Sequence, residues 1–197
     1  GIVVVFDGLS DTTPTVFADL RSEVHNYWDR GLLDVALAPG FPADPWVYVL
    51  YAHDAAIGGT APRWGSPGAT SDGCPTPPGP MADGCVVSGR LSRLRAGGDV
   101  AVGAEQVLIE DWCQQFPSHS IGTLAFGPEG ALYASGGDGA SFNTADYGQL
   151  GGTFEEAHLD ARRRRLLEPP LDFAELCGDL SDAGDRRVGF VRRVSRH

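Results

Sequence analysis

The sequence has 197 residues, of which 42% are hydrophobic, 15 are basic and 26 are acidic, giving a formal net charge of −11. This length suits one ordinary domain with a sizeable core, and 27 glycines with 14 prolines favour a turn-rich β protein. The negative charge lies in the first 150 residues, so we expect no nucleic-acid partner, and the longest apolar runs are too short to predict a membrane span.

Short segments with a period of two, separated by turn residues, predict a series of hairpins. Residues 2–6 and 15–19 form the first, and "GLLDVALAP" with "WVYVLYAH" form the second. Between them, residues 21–31 fit neither period and predict a short helical turn or a loop. "SGRLSRLRAGG" and "EQVLIED" form a third hairpin that turns at residues 97–99.

A Gly/Pro-rich insertion, from about Ala55 to Val86, separates the second hairpin from the third and contains no periodic hydrophobic segment. Cys74 and Cys85 flank its polar part, "PTPPGPMADG". A disulfide between them would order the loop and indicate an oxidising, secreted or periplasmic setting. The alternative is two free loop thiols. A zinc site is not expected, because the cysteines lack a CxxC pair and a spaced histidine partner.

The stretch "SHSIGTLAFGPEGALYASGGDG", residues 118–139, joins a histidine to a strand, a tight turn and a second strand. His119 is therefore predicted to lie just before a strand, at the rim of a sheet. A histidine there is either a partly exposed cap or a residue suited to proton transfer. The neighbours Ser118 and Ser120 also allow a hydrolase hypothesis, which is weak because adjacent strand residues point to opposite faces.

The hairpins repeat in order and in spacing. The second hairpin and residues 119–137 share the order strand, proline-containing turn, strand, with Tyr48 and Tyr133 at matching positions. A four-stranded repeat of this kind is typical of a β-propeller blade. The sequence thus predicts an all-β fold, a partial β-propeller of about two four-stranded antiparallel blades, within residues 1–150.

Residues 151–197 differ in character and predict a divergent, partly helical C-terminal segment of uncertain structure. "EEAHLDARRRRLLE" has helical spacing and ends before two prolines, and "RRVGFVRRV" alternates weakly, as a strand does. The four-arginine run is interpreted as a solvated face rather than a phosphate site. The change in character also leaves open a frame error or an unrelated fused end.

Two linked motifs in residues 1–150 resemble a known family. "GLLDVALAPGFPADPWVYVLY" resembles the "GLLGLAFHPDF…VYVYYT" segment of the glucose/sorbosone dehydrogenases, which use pyrroloquinoline quinone (PQQ). "HSIGTLAFGPEGALYASGGD" is similar to their "HxxGxLxFGPDGxLYVxxGD" segment. The resemblance implies a six-bladed propeller in which PQQ, held by calcium, lies at the mouth of the central channel.

The same resemblance implies roles for individual residues. His119 matches the histidine that takes the proton of the sugar C1 hydroxyl while hydride passes to PQQ. Asp29 stands where the family often has a sugar-contacting residue, and Asn143 is a weaker candidate for lining the cleft. Asp138, in "GGDG", is expected to close a turn. Asp34 stands where the family usually has glycine, which puts the packing between blades in question.

The family's calcium ligands and PQQ-binding residues come from later blades, and no matching segment follows Gly151. We therefore expect a piece of a PQQ-dependent sugar dehydrogenase that is inactive alone, with a sugar substrate and an electron acceptor as partners of the full-length protein. The alternative is a non-catalytic propeller module that binds carbohydrate or protein.

Overall fold

The computed structural model describes residues 1–73, 85–114, 116–137 and 139, without the side chains of residues 111 and 113, and the backbone of residues 190–194. Every regular element there is a strand, in the order β1 (Ile2–Val5), β2 (Thr15–Asp19), β3 (Leu32–Leu37), β4 (Trp46–His53), β5 (Val87–Ala96), β6 (Ala101–Gln114), β7 (Ile121–Phe126), β8 (Leu132–Gly136) and β9 (Phe190–Val194). No helix of a length and hydropathy suited to crossing a membrane occurs in this part of the chain. The predicted all-β class is confirmed.

The strands form three antiparallel sheets along the chain. β1 pairs with β2, the strands β3 to β6 form one sheet in sequence order, and β7, β8 and β9 form the third. A four-stranded antiparallel meander between two further sheets is the arrangement of a propeller blade with its neighbours. The predicted partial β-propeller is confirmed.

The middle sheet is buried on both faces, and β4 shows why. Its side chains alternate between two cores, as the two-residue period of a strand requires. Val47, Val49 and Tyr51 pack with Phe17 of the first hairpin. Tyr48 and Leu50 belong to the core that is shared with the third sheet, whose members include Leu91, Trp112, Ile121, Leu124, Leu132 and Ala134. Each face of this blade therefore depends on a neighbouring sheet for its burial.

The predicted repeat is present in the strand register. Ala36 pairs with Tyr48 in the second sheet, and Ala125 pairs with Tyr133 in the third. The ring of Tyr48 also meets that of Phe126 edge to face, with 5.3 Å between ring centroids. The two hairpins are thus equivalent units that pack on each other.

Three segments outside these hairpins were also predicted from the sequence. Residues 21–31 form a loop that begins with a single turn, in which the N–H of Val24 donates to the carbonyl of Leu20 at 2.9 Å, and one bridge joins Val24 to His53. Phe190–Val194 is a strand, as the weak alternation indicated. The predicted helix with its arginine run lies outside the described residues, and the domain boundary near residue 150 stays a prediction.

The described part of the insertion is ordered by buried carboxylates. Asp54, 1% exposed, accepts the backbone N–H groups of Trp64 at 3.1 Å and Gly65 at 3.0 Å. Asp72, 2% exposed, accepts the N–H of Asn26 at 2.7 Å. Burial and the Asp72 carboxylate raise the pKa of Asp54, against the hydrogen bonds that it accepts. These contacts fold the loop back onto the segment that precedes β3.

Cys85 is fully buried, and its Sγ lies 3.7 Å from Nε2 of His25. The expected partner, Cys74, lies outside the described residues. The Cys74–Cys85 pairing therefore stays a prediction.

A charged cluster lies between the first hairpin and the middle sheet. Arg90 contacts Glu110 at 2.9 Å, and the buried His53 lies 3.1 Å from Glu110 and 3.3 Å from Glu23. Burial and the Arg90 charge lower the pKa of His53, although the two carboxylates act against this shift. The buried charges are thus paired, which limits the cost of removing them from water.

Asp34 joins the middle sheet to the third sheet. Its carboxylate accepts the N–H of Leu124 at 2.6 Å, the N–H of Val35 at 2.8 Å and the hydroxyl of Thr123. The residue that departs from the family's glycine therefore strengthens the packing between blades. Partial burial favours a raised pKa for Asp34, but the hydrogen bonds from Leu124, Thr123 and Val35 outweigh it and lower the pKa.

We predict that Asp34→Asn lowers the free energy of unfolding at pH 7 by about 1 kcal/mol, because an amide nitrogen replaces one acceptor facing these donors. Since the folded-state pKa is lowered, the stabilisation is fully present above the unfolded pKa of about 3.9 and is lost as the pH falls through the folded value. Urea unfolding at pH 7 and pH 3 measures both effects.

Asp99→Asn, in the exposed β5–β6 turn, is the matched control for this substitution. An equal loss of stability in both variants at pH 7 would contradict the role of Asp34.

Candidate functional site

Two loops that precede equivalent strands meet at one end of the middle and third sheets. The N–H of Asp29, before β3, donates to the carbonyl of Pro117 at 3.1 Å. The N–H of His119, before β7, donates to Oδ2 of Asp29 at 3.2 Å. The structure thus brings together two of the residues predicted from sequence, although 90 positions separate them.

The backbone of His119 is held in an uncommon conformation. Its φ is 50°, in the left-handed region that residues other than glycine seldom adopt, and its carbonyl accepts the N–H of Gly139 at 2.9 Å. Gly137 lies directly against it, because a Cβ there would overlap the carbonyl oxygen of His119 and lie 2.6 Å from that of Ser120. The glycines of "GGDG" therefore allow the chain to pass close behind the histidine.

Arg30 ties the two loops to the middle sheet. This side chain is 2% exposed, and its guanidinium donates to the carbonyls of Cys85 at 2.5 Å, Gln114 at 2.9 Å and Phe116 at 2.8 Å. Burial lowers the pKa of Arg30 to about 9, against the effect of the Asp54 carboxylate. Arg30 therefore stays charged at neutral pH. Its hydrogen bonds fix the loop before β3, which carries Arg30, against the end of β6 and the loop before β7.

The serines beside His119 are not placed for nucleophilic chemistry. Ser118 is 1% exposed, and the hydroxyl of Ser120 donates to Oε1 of the buried Gln114 at 3.0 Å. A nucleophile has to reach the substrate. These contacts therefore weigh against the hydrolase hypothesis.

Two histidines lie near the loops, and their environments differ. His25 is fully buried, and burial together with the Arg30 charge lowers its pKa to about 3. His119 is partly exposed. Of these two histidines, His119 is therefore the one that a substrate can reach.

Not every predicted site residue can be placed. Asn143 and Asp138 lie outside the described residues. Within the part of the chain that the structure describes, no group of three or more His, Cys, Asp or Glu side chains is arranged to hold a metal ion.

Arg30 and Trp28 are not among the residues predicted from sequence, yet both belong to this region. The sequence signal for Arg30 is weak: a single arginine stands two residues before the apolar strand β3. Trp28 has no periodic context at all. Its distinguishing features are a positive φ and a largely exposed ring, which are properties of the folded chain.

We predict that Gly137→Ala lowers the free energy of unfolding by roughly 1–3 kcal/mol, because the backbone of His119 has to move to admit the methyl group. Gly8→Ala, where no atom lies within 4 Å of the added Cβ, is the control and should change stability by less than about 0.5 kcal/mol. Thermal and urea unfolding measure both variants. Equal free energies of unfolding for Gly137→Ala and Gly8→Ala would contradict the close contact between Gly137 and the carbonyl of His119.

Stability should also depend on pH through His25. Because its folded-state pKa is about 3 and the ordinary value is 6.5, the unfolded chain binds the proton more tightly. The free energy of unfolding should therefore fall by about 2 kcal/mol between pH 7 and pH 5 from this residue. His25→Phe should remove this part of the pH dependence of the free energy of unfolding, as measured by urea unfolding at several pH values. An unchanged pH dependence in the variant would contradict the role of His25.

Comparison with known proteins places the chain in a family. The sequence model of "Glucose / Sorbosone dehydrogenase" matches residues 3–156. No curated protein shows a significant match.

Several solved structures are similar to the chain, two of which are described here. A Thermus thermophilus protein described as a "putative oxidoreductase (glucose dehydrogenase)" is 24% identical with a TM-score of 0.46, over 70% of this chain and 31% of that one. The PQQ-bound form of an aldose sugar dehydrogenase from Streptomyces coelicolor is 17% identical with a TM-score of 0.48, over 72% of this chain and 33% of that one. The chain thus spans about a third of their length.

The family match covers most of the chain and contains both motifs, the loops that carry Asp29 and His119, and the blade between them. The resemblance predicted from the sequence is confirmed: the chain belongs to the glucose/sorbosone dehydrogenase family.

Proposed function

We propose that the full-length protein is a PQQ-dependent dehydrogenase that oxidises the C1 hydroxyl of an aldose, with His119 as the general base. The observation that carries this proposal is the position of His119. Contacts from Asp29, Gly137 and Gly139 hold a partly exposed histidine in a left-handed backbone conformation. Strained residues that their neighbours hold in place are concentrated at functional sites.

In this reaction a ring nitrogen of His119 takes the proton of the C1 hydroxyl as the C1–H bond breaks and the C=O bond of a lactone forms. PQQ, when bound, supplies the quinone that accepts the hydride, that is, the proton and electron pair of that bond. His119 must be neutral to act in this way.

Asp29 has a second role in the proposal. It is exposed, and one of its carboxylate oxygens accepts the N–H of His119. A carboxylate has about four acceptor positions, so Asp29 can also accept a hydrogen bond from a sugar hydroxyl. Asn143 is proposed as a further sugar contact.

In this proposal the base, His119, lies in the described part of the chain, whereas the residues that bind the cofactor lie elsewhere. PQQ carries carboxylates, which need cationic partners, and the nearby guanidinium of Arg30 donates to three carbonyls instead. We therefore assign the PQQ-binding residues and the calcium ligands to other blades of the full-length protein, and expect the 197-residue chain to be inactive alone. A secreted or periplasmic location belongs to the same proposal.

The test uses the full-length protein with PQQ and calcium, and follows dye reduction with a panel of aldoses. His119→Ala should lower kcat by roughly 10²- to 10⁴-fold without changing the melting temperature, because general base catalysis is lost. Asp99→Ala, in the exposed β5–β6 turn, is the control and should retain activity.

Two results would contradict the proposal. One is a folded wild-type protein without turnover on any aldose, which would favour the non-catalytic binding module. The other is an unchanged kcat in His119→Ala.

A further inference from the structure

Trp28 presents a large aromatic surface beside the candidate site. Its side chain is 63% exposed, and its ring stacks on that of Tyr27, with 5.6 Å between centroids and 13° between ring planes. The next residue, Asp29, accepts the N–H of His119. The stacked pair thus lies one residue away from the contact that holds the proposed base.

The backbone of Trp28 is unusual for so bulky a residue. Its φ is 54°, and Trp28 and His119 are the two non-glycine residues with positive φ in the described part of the chain. Such a conformation costs of the order of 1–3 kcal/mol and persists where the surrounding structure enforces it. The two strained residues are joined through Asp29, so the strain is concentrated at one place.

The loop that carries Trp28 is fixed at both ends. On one side, Asn26 donates its backbone N–H to Asp72 at 2.7 Å and its side-chain amide to the carbonyl of Thr70. On the other side, the buried Arg30 donates to three carbonyls. These anchors hold Trp28 in a strained backbone conformation. Because the indole is mostly exposed, its burial contributes little free energy to offset that strain.

We propose that Trp28 is a substrate-binding residue whose indole face packs against the apolar face of an aldopyranose ring. The C–H groups on one face of a pyranose carry partial positive charge, and the face of an aromatic ring is negative, so the two surfaces attract when stacked. Small-molecule sites usually combine aromatic surface with a few polar groups, and in this proposal Asp29, the residue after Trp28, and His119, which Asp29 contacts, supply the polar groups. This inference rests on the proposed function and adds a determinant of sugar affinity.

The test compares Trp28→Gly and Trp28→Phe in the full-length protein with PQQ and calcium. Glycine accepts the positive φ without strain, so Trp28→Gly should fold with an unchanged or higher melting temperature. Its Kd for 1-deoxyglucose, which lacks the hydroxyl that reacts, should rise roughly five- to tenfold by calorimetry. KM for the aldose should rise to a similar extent with little change in kcat, and Trp28→Phe should restore most of the affinity.

Phe6→Ala is the matched control, since Phe6 is an exposed aromatic residue of the first hairpin; it should leave the Kd unchanged. If the wild type oxidises aldoses and Trp28→Gly binds 1-deoxyglucose as tightly as the wild type does, the role of Trp28 is overturned and the proposed function stands. If the wild type neither binds nor oxidises any aldose, both are overturned.

Discussion

The buried guanidinium of Arg30 is the contact on which the arrangement of the site depends. It donates to carbonyls of three chain segments: the end of the insertion at Cys85, the end of β6 at Gln114, and the loop before β7 at Phe116. Hydrogen bonds from a charged donor are stronger than neutral ones, and an unpaired buried carbonyl is costly. The loop before β3 and the loop before β7 are therefore held in one geometry, in which Asp29 can reach the N–H of His119.

The same dependence on neighbours holds for the sheets. Alternate side chains of β4 enter different cores, so the middle blade is completed by the hairpin on one face and by the third sheet on the other. Asp34 adds a polar tie to this packing by accepting hydrogen bonds from β7. The position of His119, which closely precedes β7, thus follows from how adjacent blades pack.

Much of the fold could be predicted because the strands keep a period of two and the repeat keeps its spacing, which places Tyr48 and Tyr133 in equivalent registers. The family motifs also pointed to Asp29 and His119. The roles of Arg30 and Asp34 could not be predicted, since their partners lie more than 50 residues away and meet only when the blades stack. The exposure of Trp28 and its positive φ leave no periodic signal in a sequence.

The central claim is that these contacts present His119 as the proton acceptor of a sugar dehydrogenase. Chemical rescue tests it most directly: aldose oxidation by the full-length His119→Ala variant, with PQQ and calcium, is measured as imidazole is added. We predict that the low rate of the variant rises with imidazole concentration, because free imidazole can take the hydroxyl proton in the space left by the side chain. Wild-type turnover by the variant without imidazole would contradict it.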